Sequence, residues 1–164
     1  MILGMTTFTF VHVMLSLIGI FSGFVVVFGL LAGKRLDGWT ALFLVSTVAT
    51  SVTGFLFPFH RFLPSHGVGI LSLLMLGIAI LARYPFHLSG AWRRIYAATA
   101  VISLYLNVFV LIAQAFQKVP GLKAMAPTQS EPPFFVTQAV ALAVFVLLGL
   151  GAAIRFRNEL VRMA

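Results

Sequence analysis

Residues Met5 to Gly33 read MTTFTFVHVMLSLIGIFSGFVVVFGLLAG, a run without Asp, Glu, Lys or Arg. A helix of about 20 residues crosses a hydrocarbon core of roughly 30 Å, so the run is long enough to span a membrane. Within it His12, Ser16, Gly19 and Gly23 recur at helical spacing and share one face. In lipid, helices gain little from hiding apolar side chains from one another, and small residues that let backbones approach become the contact surface. Gly19-x-x-x-Gly23 and Gly29-x-x-x-Gly33 both have that form. The first span is therefore expected to pack centrally, with His12 at the outer end of its contact stripe.

The rest of the chain supports the same class. Hydrophobic residues make up 61% of the 164 residues and charged residues 9%, and the mean hydropathy is +1.10. These values lie far outside the range of a soluble domain and predict an all-α, polytopic membrane helix bundle. Connections are too short to fold separately, so residues 1–164 are expected to form one transmembrane domain. A net charge of +8 would suggest nucleic acid in a soluble protein. Here the basic residues flank apolar runs, where they set orientation and meet anionic headgroups; the bilayer is the expected partner and nucleic acid is not. With no cysteine there is no disulfide framework, thiolate metal site or covalently attached haem. The N-terminus lacks a basic n-region and its apolar run exceeds an h-region, so the first span is expected to be retained.

Five spans are predicted, at about 6–32, 39–59, 67–86, 95–116 and 134–154. Lys34-Arg35-Leu36-Asp37-Gly38 makes a tight turn, followed by Trp39 as an interfacial anchor. Pro58, Pro64 and Gly67 separate the second span from the third, which reaches full length only if Arg83 snorkels to the interface. The longest connection, Gln117 to Pro133, is rich in Pro and polar residues and is expected to fold back on the bundle, move, or act.

Charge placement gives an orientation. Lys34, Arg35, Arg83, Arg93, Arg94, Arg155, Arg157 and Arg162 fall at one end, and Arg61, Lys118 and Lys123 at the other. The eight-to-three bias predicts an outer N-terminus and a cytoplasmic C-terminus, with the 155–162 tail on the headgroups. Polar residues inside the spans then favour the outer half. His12 lies roughly 9 Å deep, Gln114 and Gln138 are near the outer boundary, and Asn107 is near the midplane. Tyr96, Thr99, Ser103, Asn107, Val110 and Gln114 share one stripe of the fourth span, and Thr47, Ser51 and Gly54 one stripe of the second. Both should face inward, because an amide turned to lipid is left unsatisfied. The candidate ligand-binding residues are thus His12, Ser16, Ser51, Asn107, Gln114 and Gln138, together with Glu131 on a lid formed by the 117–133 loop.

Two readings of this polar seam stay open on sequence. It can serve interhelical hydrogen bonding alone, or it can be a site with apolar walls and a few convergent polar groups. Glu131 is open in the same way, between a solvated loop charge, an ion pair with Lys118 or Lys123, and a lid group. A bis-histidine haem b would need imidazoles at matching depth; His12 with His66 or His60 are the weak metal candidates, with His87 at the wrong end. Hydrolytic motifs and phosphate-cradling loops are absent, so no catalytic residue is assigned.

The runs Thr53-Gly54-Phe55-Leu56-Phe57-Pro58-Phe59, Leu104-Tyr105-Leu106-Asn107-Val108-Phe109-Val110 and Lys118-Val119-Pro120, with Ala126 through Phe134, resemble those of small uncharacterised bacterial multi-pass membrane proteins. The resemblance implies a bacterial inner membrane with the outer side facing periplasm, and brings no activity with it. The leading expectation from the residues is a non-enzymatic protein that binds a lipid-like or quinone-like amphiphile, or a membrane-protein partner or second copy, in the outer seam. Alternatives are a haem-b or quinone-linked redox protein and a small transporter subunit, although no internal repeat or broken helix pair is evident.

Overall fold

The computed structural model describes residues 6–58 and 64–158, without the side chains of 157 and 158. Its elements in order are α1 (Thr7–Leu31), α2 (Asp37–Gly54), α3 (Pro64–Arg83), α4 (Trp92–Lys118), a short α5 (Pro120–Met125) and α6 (Pro132–Asn158). No strand occurs among the described residues. Four helices, α1, α3, α4 and α6, are long and apolar enough to cross a membrane. At 18 residues α2 is long enough too, but less apolar, since its interior holds Ser46, Thr47, Thr50, Ser51 and Thr53.

Those hydroxyls are satisfied largely within their own helix. Ser46 donates to Leu42 O at 2.6 Å, Thr50 to Ser46 O at 2.9 Å and Thr53 to Ala49 O at 2.7 Å. Back-bonding of this kind lets a hydroxyl sit in an apolar interior without an orphaned proton.

The helix ends follow their local chemistry. Thr6 caps α1 by accepting from Thr9 N–H. At the other end Gly33 turns the chain with φ 70°, and Lys34 N–H reaches back to Gly29 O at 2.8 Å. A Cβ on Gly29 would meet Leu36 at 2.7 Å. Gly29 and Gly33 therefore build the turn into α2; this corrects their expected place on a helix-packing surface. α2 stops at Gly54, short of residue 59, because Pro58 disfavours helix before it. Pro64 opens α3 three residues earlier than 67, at a position where its missing N–H costs nothing. α3 ends at Arg83 rather than 86. After it Pro85 interrupts the ladder, and His87 and Leu88 take left-handed conformations that tuck Leu88 into the core.

Arg83 does not snorkel. It is buried, ion-paired with Asp37 at the start of α2, and lies 5.5 Å from the centre of the Tyr96 ring. This bond and the Arg155 contact to Leu31 O put the C-terminal ends of α1, α3 and α6 at one end of the bundle with the N-terminal ends of α2 and α4. Lys34, Arg35, Arg83, Arg93, Arg94 and Arg155 all fall there, and Lys118 and Lys123 fall at the opposite end.

The centre of the bundle is α4 rather than α1. It packs against α1, α3, α5 and α6, and half of its most apolar stretch is buried, against 39% for α1. Its small residues Ala97, Ala100 and Ser103 are fully buried in that packing. Gly19 and Gly23 do bring α1 close. A Cβ on Gly23 would meet Leu104 of α4 at 2.6 Å and Phe43 of α2 at 2.9 Å, and one on Gly19 would meet Thr47 Oγ1 at 2.9 Å.

Candidate functional site

The ends of α1, α2, α3 and α4 farthest from the arginine cluster enclose a cavity of about 640 Å³. Its walls are mainly apolar, with Val13, Leu17, Phe55, Val68, Val110 and Leu111 among them. Of the residues expected from sequence to bind a ligand, it gathers His12, Ser16, Ser51, Asn107 and Gln114. The floor is a polar link between α1 and α4: the Ser16 hydroxyl donates to Asn107 Oδ1 at 2.9 Å. Asn107 is 8% exposed, and its Nδ2, 3.2 Å from where a Cβ on Gly19 would be, has no hydrogen-bond partner among the described residues. Thr47 Oγ1, 2.9 Å from the same position, is also unpartnered among them. On the α2 and α3 side, Ser51 donates to Ser72 Oγ at 3.2 Å.

His12 is held from three directions. Its Nδ1 is 2.8 Å from Thr53 Oγ1, the edge of Phe57 meets its ring at 5.0 Å between centroids, and its Cε1 lies 3.7 Å from where a Cβ on Gly54 would be. The hydroxyl proton of Thr53 is engaged by Ala49 O, so Thr53 accepts and His12 Nδ1 carries the proton. Neutral His12 then presents Nε2 as an acceptor. His66, 7% exposed and 5.7 Å from the Phe55 ring, lines the same cavity. His60 lies outside the described residues. Among the described residues no group of three or more His, Cys, Asp or Glu is placed to hold a metal ion.

Two expected members stand elsewhere. Gln138 is buried between α6 and α4, donates to Phe109 O at 3.2 Å, and does not line the cavity. The reason is that α6 packs on α4 and α1, whereas α2 and α3 help to wall the cavity. Glu131 is not a lid group either. It accepts from the Thr128 hydroxyl at 2.8 Å, from Thr128 N–H at 3.2 Å and from Ser130 N–H at 3.1 Å, closing its own turn without an ion pair among the described residues. Desolvation acts to raise the Glu131 pKa, but these hydrogen bonds outweigh it and hold the carboxyl below the ordinary glutamate value. The 117–133 connection instead forms α5 and docks on α4 through Gln129, whose amide donates to Ala113 O at 2.7 Å. Only its first residues, Lys118 and Val119, reach the cavity.

Sequence reading missed Thr53, the partner that orients His12, and Ser72. Thr53 had a signal: Ser46, Thr50 and Thr53 follow one another at helical spacing, beside the stripe of Thr47, Ser51 and Gly54. Ser72 is isolated in an apolar run and had none.

Four membrane-length apolar helices in one bundle define the class: a small, multi-pass helical membrane protein. Comparison with protein families, with curated proteins and with solved structures finds no match.

Proposed function

We propose that this protein binds a lipid-like or quinone-like amphiphile in the cavity between α1, α2, α3 and α4. One observation carries the reading: about 640 Å³ of space lies between these helices, walled mainly by apolar side chains, with His12, Ser16, Asn107, Gln114 and Lys118 among its polar groups. Pockets for small molecules are built in this way, and a seam serving only helix association would be closed by side chains. In the proposed setting α2 crosses the membrane with the other four long helices, the arginine-rich end is cytoplasmic, and the cavity lies in the periplasmic half of a bacterial inner membrane. No chemical step is assigned to the site.

The test is the small-molecule content of protein purified in mild detergent, with Val110→Trp to fill the cavity and Leu147→Trp, on an exposed face of α6, as its control. A near-stoichiometric lipid or quinone that is lost in the first variant and kept in the second, with both folded, is the expected result. The same content in both variants would remove the cavity from the account.

A second reading, a haem-b or quinone-linked redox protein, is favoured by the presence of His12 and His66 on one cavity. An absorption spectrum of the purified protein tests it, since a Soret band would be seen without any added ligand.

A further inference from the structure

Among the described residues Lys118 is the one Lys or Arg that lines the cavity, and no carboxylate lines it. The chain has three acidic residues in all. Asp37 is bonded to Arg83 at the far end of the bundle, Glu131 is turned into the 128–131 cap, and Glu159 lies outside the described residues. Lys118 has no ion pair among the described residues. The mouth of the cavity thus offers a cation that nothing among the described residues balances.

We infer that the amphiphile carries an anionic head, a carboxylate or a phosphate ester, seated against Lys118 with its apolar part along Val13, Val110 and Leu111. The inference rests on the amphiphile reading above and adds the charge of the ligand. At the edge of a low-dielectric bundle an ammonium and an anion form a charge-assisted hydrogen bond stronger than either makes with a neutral partner. A neutral head such as a glycerol or a quinone carbonyl leaves Lys118 unmatched. The anion can come from a free fatty acid or from a phospholipid, and the two sources are separated by the probes.

The experiment uses the full chain, delipidated in a neutral detergent, with two pairs of probes that share tails and differ in the charge of the head. Oleate is compared with monoolein, and dioleoylphosphatidylglycerol with dioleoylglycerol, by native mass spectrometry and thermal shift. The expected result is that at least one anionic probe binds about tenfold or more tightly than its neutral twin, the scale of a single charge-assisted hydrogen bond. Preference for oleate identifies a fatty-acid head, and preference for the phosphatidylglycerol a phospholipid. Lys118→Gln should abolish the preference and Lys118→Arg should keep it. Equal binding of charged and neutral twins, or a preference that survives in Lys118→Gln, overturns the anionic head and leaves the amphiphile cavity standing. If none of the four probes binds and Val110→Trp changes nothing, the cavity reading falls with it.

Discussion

The Ser16 hydroxyl on α1 donates to Asn107 Oδ1 on α4 at 2.9 Å, and this bond ties the second most buried apolar span to the most buried one at the cavity floor. Neither residue has a near neighbour in sequence that would reveal the other. Hydrogen bonds between membrane helices contribute about 0.6 kcal/mol on average and up to about 1.7. A double-mutant cycle of Ser16→Ala and Asn107→Ala, read by unfolding in detergent, should return a coupling in that range. Additive losses would mean that the bond does not form.

Close approach at Gly23 gives a sharper contrast. Its Cβ would lie 2.6 Å from Leu104 Cδ1 and 2.9 Å from a Phe43 ring carbon, whereas nothing lies within 4 Å of a Cβ at Gly77. Gly23→Ala should therefore lower stability by about 1–3 kcal/mol, as overpacking does. Gly77→Ala should be neutral or slightly stabilising, because alanine is the better helix former by about 1 kcal/mol. Thermal unfolding of the two variants in one detergent decides it.

Sequence periodicity located the long helices well because apolar length is a property of each segment alone. Thr7–Leu31 differs from the expected 6–32 by one residue at each end. Five of the seven expected ligand residues meet on one cavity because shared helical faces are also local. What sequence did not show were the relations between helices. That α4 is the hub depends on its packing against α1, α3, α5 and α6 at once, which its own sequence does not report. Gln138 is as polar as Gln114 and at similar depth, yet it faces the α4 and α6 contact and leaves the cavity to the other side of α4. Arg83 read as an interfacial residue because its partner, Asp37, is 46 residues away.

That pair has its own consequence. The Arg83 side chain is 5% exposed and the Asp37 side chain 74%, so removing the carboxylate strands a guanidinium that has little water of its own. Asp37→Asn should cost about 1–3 kcal/mol, and Arg83→Met should cost less in an Asp37→Asn background than in the wild-type chain. Equal costs in the two backgrounds would show that the pair is not coupled.

The chain contains no cysteine, so single cysteines are clean reporters of side. Lys34 and Lys123 lie at opposite ends of the bundle, on exposed connections. In intact cells Lys123→Cys should react with a membrane-impermeant maleimide, and Lys34→Cys should react only after the membrane is opened. The reverse pattern would invert the bundle and put the cavity in the cytoplasmic half. Labelling of both in intact cells would leave an even number of crossings between them, so that one of α2, α3 and α4 does not cross.

The tautomer of His12 can be predicted from a single hydroxyl. Thr53 Oγ1 lies 2.7 Å from Ala49 O, an atom that only accepts, so the one hydroxyl proton is directed there. Against His12 Nδ1, at 2.8 Å, the same oxygen is left to accept. Neutral His12 must then carry its proton on Nδ1 and hold Nε2 as a lone pair. With histidine-labelled protein, ¹⁵N spectra above the titration of the ring should show a pyrrole-type Nδ1 and a pyridine-type Nε2. This inverts the preference of free histidine, in which Nε2–H dominates, so the Thr53 contact has to supply the difference. Thr53→Val removes the acceptor while keeping the branched shape, and should return the ring toward the common tautomer. If the wild-type ring already shows Nε2–H, the Thr53 proton must point at His12 instead, and Ala49 O would lose its second partner. Nε2 would then be a donor, and His12 would add to the Lys118 donor on the cavity rather than balance it.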